Sequence, residues 1–162
     1  MKNDNKREHW TYRRSDLQPG DAVILDIDGV LADATGRQHH LERNDWRGFF
    51  EDVDEDPVIA EIGVMAQLLD NSLQVILVTG RPHRVSEKTV SWLNEHNLRW
   101  DILVMRDRGN NIGVDKFKRD VLKQLGEDGY NIRLAVDDDP KNHAMYVKAG
   151  VPCIYIHSGY YL

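Results

Sequence analysis

The sequence predicts an α/β domain built on a doubly wound (Rossmann-like), parallel five-stranded sheet with helices on both faces and no large cap domain. Three observations carry this expectation. Five short apolar runs have strand length, helix-like segments separate most of them, and several runs are too continuously apolar to be strands exposed on one face. A chain of 162 residues with 41% hydrophobic content is long enough to build one real core.

Taken in order, residues 1–20 are polar and aperiodic, close on Pro19 and Gly20, and read as an N-terminal tail or arm before a domain over 21–162. The first strand is "AVILD" (22–26). Residues 27–55 form a long polar connection with a short helical turn around "NDWRGFF", too short for a large cap. Asp56 and Pro57 supply an N-cap and first-turn proline for a helix to about Asp70. The second strand, "LQVILVT" (73–79), leads to a helix over about 86–96, and the third, "DILVM" (101–105), to a helix over about 115–125 closed by Gly126. The fourth, "IRLAVD" (132–137), precedes a helix opened by Asp139 and Pro140 and ended at Gly150; the fifth is "PCIYI" (152–156).

Composition narrows the setting. A formal net charge of −6 argues against a broad, sequence-independent coat on nucleic acid, though not against a local basic site. The single cysteine, Cys153, excludes an intramolecular disulfide and a cysteine-based zinc site. No apolar run approaches membrane-spanning length and the N-terminus lacks the apolar core of a signal peptide, so the expectation is a soluble, cytoplasmic protein without a membrane partner.

The chemistry gathers at the strand ends. Strand one ends in Asp26 and Asp28, strand two in Thr79, Gly80 and Arg81, and strand four in Asp137, Asp138 and Asp139. Parallel strands place their carboxyl ends on one edge, where such folds bind ligands. Buried carboxylates there are costly unless paired or bound to a cation, so a metal ion shared by Asp26 and Asp137 is expected, and a hard-oxygen set suits Mg2+. Thr79 offers a hydroxyl, Gly80 a backbone N–H, and Lys116, at the start of the third helix, a positive charge to hold a phosphoryl group opposite the metal. Asp26 would then attack phosphorus while Asp28 protonates the leaving oxygen and later activates water.

"DIDGV", "TGR", a helix-leading lysine and "VDDD", in this order, resemble the four motifs of the haloacid dehalogenase-like phosphohydrolases. The resemblance implies Asp26 as nucleophile, Asp28 as general acid/base that also lends its backbone carbonyl to Mg2+, Asp137 as a direct metal ligand, and Asp138 close to the metal's waters or to Lys116. Over residues 23–159, "DIDGVLADATGR", "VILVTGR", "LAVDDDP" and the closing "HSG" look like the 3'-phosphatase domain of phage-type polynucleotide kinase/phosphatases. That likeness implies that Arg37 and Arg81 bind the substrate phosphate or its nucleotide. It departs from the pattern before the lysine, where Gly113 stands in place of an acid.

The expected function is therefore a Mg2+-dependent phosphomonoesterase removing 3'-phosphates from DNA or RNA ends. The alternatives are a nucleotidase acting on free nucleotides and a non-catalytic nucleic-acid or phosphoprotein binding module. Arg106 and Arg108, just beyond strand three, suit either substrate-backbone contact or plain solubilisation. Trp46, Phe49 and Phe50 suit either base stacking or packing of a flap. No "GxxxxGK[ST]" element is present, so kinase or ligase activity is expected from another chain.

Overall fold

The computed structural model describes residues 6–107 and 111–161. Six strands form one sheet: β1 (Thr11–Tyr12), β2 (Asp21–Leu25), β3 (Gln74–Pro82), β4 (Ile102–Arg106), β5 (Asn131–Asp137) and β6 (Cys153–Tyr155), in the order β1-β4-β3-β2-β5-β6. β2 through β6 pair in parallel, and β1 runs antiparallel to β4. Among the described residues five α-helices accompany them, α1 (Trp46–Glu51), α2 (Ala60–Leu68), α3 (Ser86–Glu95), α4 (Val114–Glu127) and α5 (Pro140–Lys148), with 3-10 helices over Thr35–Arg43 and His83–Val85. No helix among the described residues is long and apolar enough to cross a membrane.

Alternation along the central strand shows why the runs read as buried on both sides. Val23 and Leu25 belong to one core with Ala66, Trp92 and Leu93, from α2 and α3; Ala22 and Ile24 belong to the other with Phe117, Val121 and Tyr146, from α4 and α5. Each such side chain contributes roughly 1.5–3 kcal/mol by leaving water. The register then sets the functional edge. Leu25 pairs with Leu77 on one side and Val136 on the other, so the next residues along, Asp26 and Asp137, emerge side by side.

The sequence reading is corrected in three places. The described residues hold six strands rather than five, because the polar segment expected as a tail or arm supplies β1, with Thr11 opposite Leu103 and Tyr12 opposite Ile102. Its Leu17 is buried and its Arg7 grips Asp128 at 2.7 Å. A two-residue strand held by backbone pairing has no apolar period to announce it. α2 begins at Ala60, not after Pro57, since the Asp56 side chain is engaged elsewhere. α4 runs through Gly126 and turns instead at Gly129, where φ is +91°.

Trp92 is fully buried in the first core and its indole donates a 2.8 Å hydrogen bond to the carbonyl of Asp56. Trp92→Ala is expected to cost about 3–5 kcal/mol of stability, read as a lower denaturation midpoint in urea.

Candidate active site

The segment after β2 folds around two backbone demands. The Asp26 amide still donates to Val136 O at 3.1 Å, so strand pairing carries one residue past Leu25, and the Ile27 amide then donates to Asp26 Oδ1 at 2.8 Å. The Ile27 carbonyl accepts from Leu31 at 2.8 Å and Ala32 at 2.9 Å, which closes a tight turn through Gly29 at φ +80°. Only glycine suits that position twice over. It tolerates the left-handed backbone, and a Cβ there would stand 2.1 Å from Asp138 Oδ2.

Asp26, Asp137 and Asp138 are all buried, and one carboxylate oxygen from each lies within 4.8 Å of the others. Lys118 of α4 joins them, its ammonium 2.6 Å from Asp137 Oδ2 and 3.2 Å from Asp26 Oδ2. Asp137 Oδ1 also accepts from Asn142 Nδ2 at 3.1 Å and the Asp139 amide at 3.0 Å. Neither oxygen of Asp138 has a hydrogen-bond partner among the described residues. Burial, with the charge of Asp137 beside it, pushes Asp138 up to about 7. Burial also raises Asp26 well above the usual carboxylate range; Lys118 opposes this and the neighbouring carboxylates reinforce it. For Lys118 the cost of burial is outweighed by Asp137 and Asp26, which keep it charged. One ammonium thus faces three oxygen-donor acids, one of them without a partner. This donor set fits a hard divalent cation.

The lysine lies two positions beyond the expected one. Lys116 is exposed, because two residues correspond to about 200° around a helix. Lys118 shares a face with Val121 and Leu125, at i+3 and i+7, and all three are buried. That apolar stripe is the signal in the sequence that distinguishes the two.

The arginines are also corrected. Arg37 and Arg81, expected to bind the substrate phosphate or its nucleotide, are buried and committed to protein carboxylates. Arg81 Nη2 lies 2.8 Å and Arg37 Nη2 2.6 Å from Asp28 Oδ1. Behind them, Asp56 accepts from Arg37 Nε at 2.8 Å and Nη2 at 2.6 Å, and from Arg81 Nη2 at 3.4 Å. Phe49 O takes Arg37 Nη1 at 2.6 Å, and Thr89 Oγ1 takes Arg81 Nη1 at 3.2 Å. Burial works to raise the Asp28 carboxyl, but Arg81 and Arg37 outweigh it and hold Asp28 below the usual range. Asp56 is the member of this charged cluster that the sequence reading missed. Asp before Pro signals an N-cap locally, and only the tertiary fold brings the arginines to it.

Thr79 is fully buried on β3 at the same edge, its hydroxyl accepting from the Arg81 amide at 3.1 Å. Gly80, Val114 and Arg106 line a cleft of about 260 Å3 whose floor includes Asp26 and Asp28. Trp46, Phe50, Tyr160 and Tyr161 are among its other lining residues. Arg108 lies outside the described residues. Of the three aromatic residues near α1, Phe49 is the packing residue, under the Arg37 guanidinium at 4.5 Å, while Trp46 stays 58% exposed.

Compared with known proteins, residues 20–161 match the family model of the polynucleotide kinase PNKP phosphatase domain. A chain of the Pnkp1/Rnl/Hen1 RNA repair complex superposes with a TM-score of 0.74 at 23% identity, over 93% of this chain and 47% of that one. A second structure of the Pnkp1/Rnl/Hen1 complex gives a TM-score of 0.73 at 22% identity, over 93% and 50%. This chain therefore spans about half the length of those solved chains. A hydrolase from Streptococcus pneumoniae TIGR4 shares the fold at a TM-score of 0.52 and 12% identity, over 82% of this chain and 90% of that one.

Two outcomes follow from the charge arrangement. Because Asp138 is raised in the folded chain, its ionisation opposes folding. In chelator, stability should fall as pH rises from the unfolded carboxyl value near 4 through about 7. Thermal melts should show this fall shrinking in Asp138→Asn and being offset by added divalent cation in the wild type. Lys118→Met should destabilise the chain by about 3–5 kcal/mol in urea melts, since it strands buried carboxylates, whereas Lys116→Met should stay within about 0.5 kcal/mol.

Proposed function

The chain belongs to the family of polynucleotide kinase PNKP phosphatase domains, phosphoric monoester hydrolases of haloacid dehalogenase-like fold, and we propose that it is a Mg2+-dependent polynucleotide 3'-phosphatase working through an aspartyl phosphate. The observation that carries this reading is the division of labour between two acids two residues apart. Asp26 lies in the Lys118 carboxylate cluster, and Asp28 lies between two guanidinium groups. Neighbouring acids in opposed environments are suited to different roles.

Lys118 opposes the burial that raises Asp26 and orients its carboxylate for attack on phosphorus, and a divalent cation held by the same acids would favour the ionised form further. As the Asp26 oxygen bonds to phosphorus, the bond from phosphorus to the sugar oxygen breaks and Asp28 gives that oxygen a proton. In the free protein the arginines keep Asp28 ionised. A phosphoryl group bound beside it adds the negative charge that lets it take up a proton. Once ionised again, Asp28 accepts a proton from the water that hydrolyses the aspartyl phosphate. Mg2+ held by Asp26, Asp137 and Asp138, with the main-chain carbonyl of Asp28, would neutralise charge on the phosphoryl oxygens. The Gly80 amide and Thr79 hydroxyl are assigned to the phosphoryl group, Arg106 to the adjoining backbone, and Arg37 and Arg81 to the positioning of Asp28.

The substrate is a 3'-phosphorylated DNA or RNA end, admitted because the cleft has no large cap over it. A partner acting on the same ends is in keeping with the similar solved chains, which come from the Pnkp1/Rnl/Hen1 RNA repair complex.

Asp26→Asn should reduce phosphate release below about 1% of wild type, given the barrier to uncatalysed phosphomonoester hydrolysis, and trapped phosphate should map to Asp26 in the wild type. Chelation should abolish release and Mg2+ restore it. A panel of 3'-phosphorylated oligonucleotides, 5'-phosphorylated oligonucleotides and free nucleotides should favour the first. Preference for free nucleotides would assign the chain to the nucleotidases, and no release from any of them would leave the binding-module reading.

A further inference from the structure

The cleft does not end at its mouth. Trp46 and Phe50, which wall it, also line an open depression of about 510 Å3 with Arg47, Pro82 and Arg84. Pro82 and Arg84 in turn line a third depression of about 590 Å3 that reaches His83, His9 and Asp107. Shared walls make these one groove, running from the acidic floor across α1 and over the segment after β3.

Its surface alternates aromatic and cationic groups. Trp46 lies 6.4 Å from Phe50 with the rings inclined by only 29°, and both rings contact Phe49 edge-on. Phe49 is buried and Asp45 caps α1 by accepting from the Gly48 amide at 2.8 Å, so the exposed indole is displayed on an anchored helix. Beside it, Arg84 and Arg47 share one carboxylate, Glu51, at 3.2 and 3.7 Å. Two guanidinium groups on one acid concentrate positive charge beside Trp46, the groove's other acid, Asp107, lying at the far end, on a chain whose net charge is −6. Aromatic platforms interleaved with cations suit a single strand of nucleic acid, whose bases stack and whose phosphates need counter-charge.

We propose that this groove seats the nucleotides on the 5' side of the 3'-phosphate, with bases against Trp46 and Phe50 and phosphates along Arg47, Arg84 and His83. The inference rests on the 3'-phosphatase reading and extends it. It makes the substrate an unpaired strand and gives the direction in which that strand leaves the site.

The test uses the full chain and 3'-phosphorylated oligothymidylates of increasing length, starting from the mononucleotide. In the Asp26→Asn background, fluorescence anisotropy should show affinity rising over the first few added nucleotides. Trp46→Ala should weaken oligonucleotide binding about tenfold, with Trp46→Phe restoring most of it. Arg47→Ala and Arg84→Ala should each reduce the salt dependence by about 0.7 in log–log slope. In otherwise wild-type protein, each alanine change should lower the ratio of kcat/KM for the oligonucleotide to that for the mononucleotide. Length-dependent binding that these changes cut supports the groove even if no phosphate is released, in which case the 3'-phosphatase reading alone falls. Length-independent binding, or a ratio untouched by the substitutions, overturns the groove.

Discussion

The contact on which most of the architecture depends is the Lys118 ammonium placed between Asp26 and Asp137, at 3.2 and 2.6 Å. Two central parallel strands deliver acids to the same few cubic ångströms, and without a compensating charge the burial of those acids would oppose the sheet itself. α4 brings that charge by inserting a lysine into its apolar face. The sheet register, the placement of α4 and the site are therefore one arrangement, set by electrostatics as much as by hydrophobic packing. The compensation is incomplete, since Asp138 has no hydrogen-bond partner among the described residues, and this makes the edge receptive to a cation.

A second ionic cluster stands beside the first. Arg37 and Arg81 lie between Asp28 in front and Asp56 behind, with Trp92 holding the Asp56 carbonyl at 2.8 Å. Acids and guanidinium groups are equal in number here, which is why four charged residues can share such a confined space. The layout gives Asp28 a fixed direction and a different charge environment from Asp26, although the two are separated in sequence by Ile27 alone.

Much of this was legible in the sequence because parallel strands convert linear motifs into a shared edge. Knowing that "AVILD", "LQVILVT" and "IRLAVD" are neighbouring strands is enough to predict that Asp26, Thr79 and Asp137 meet. What could not be read that way depended on phase or on distance. Lys116 and Lys118 differ only in helical phase, which the buried stripe of α4 decides. Arg37 and Arg81 carry the charges expected of phosphate ligands, and nothing local in their motifs reveals that Asp28 and Asp56 take up those charges. Asp56 itself precedes a proline, a local cue strong enough to hide a tertiary role. The antiparallel edge strand left no periodic trace because two residues are too few to show one.

That edge strand has a consequence for how the chain assembles. Thr11 finds its partner at Leu103, with two strands, β2 and β3, lying between them in the sequence. The segment that precedes the other strands in the sequence is thus among the last to find its place, since β4 must first dock on β3. Until then the outer edge of β4 presents unpaired amides and carbonyls to any other extended chain. The N-terminal segment acts as a late-closing cover over that edge, and for a nascent sheet with buried apolar strands it is a safeguard against joining a neighbour's sheet.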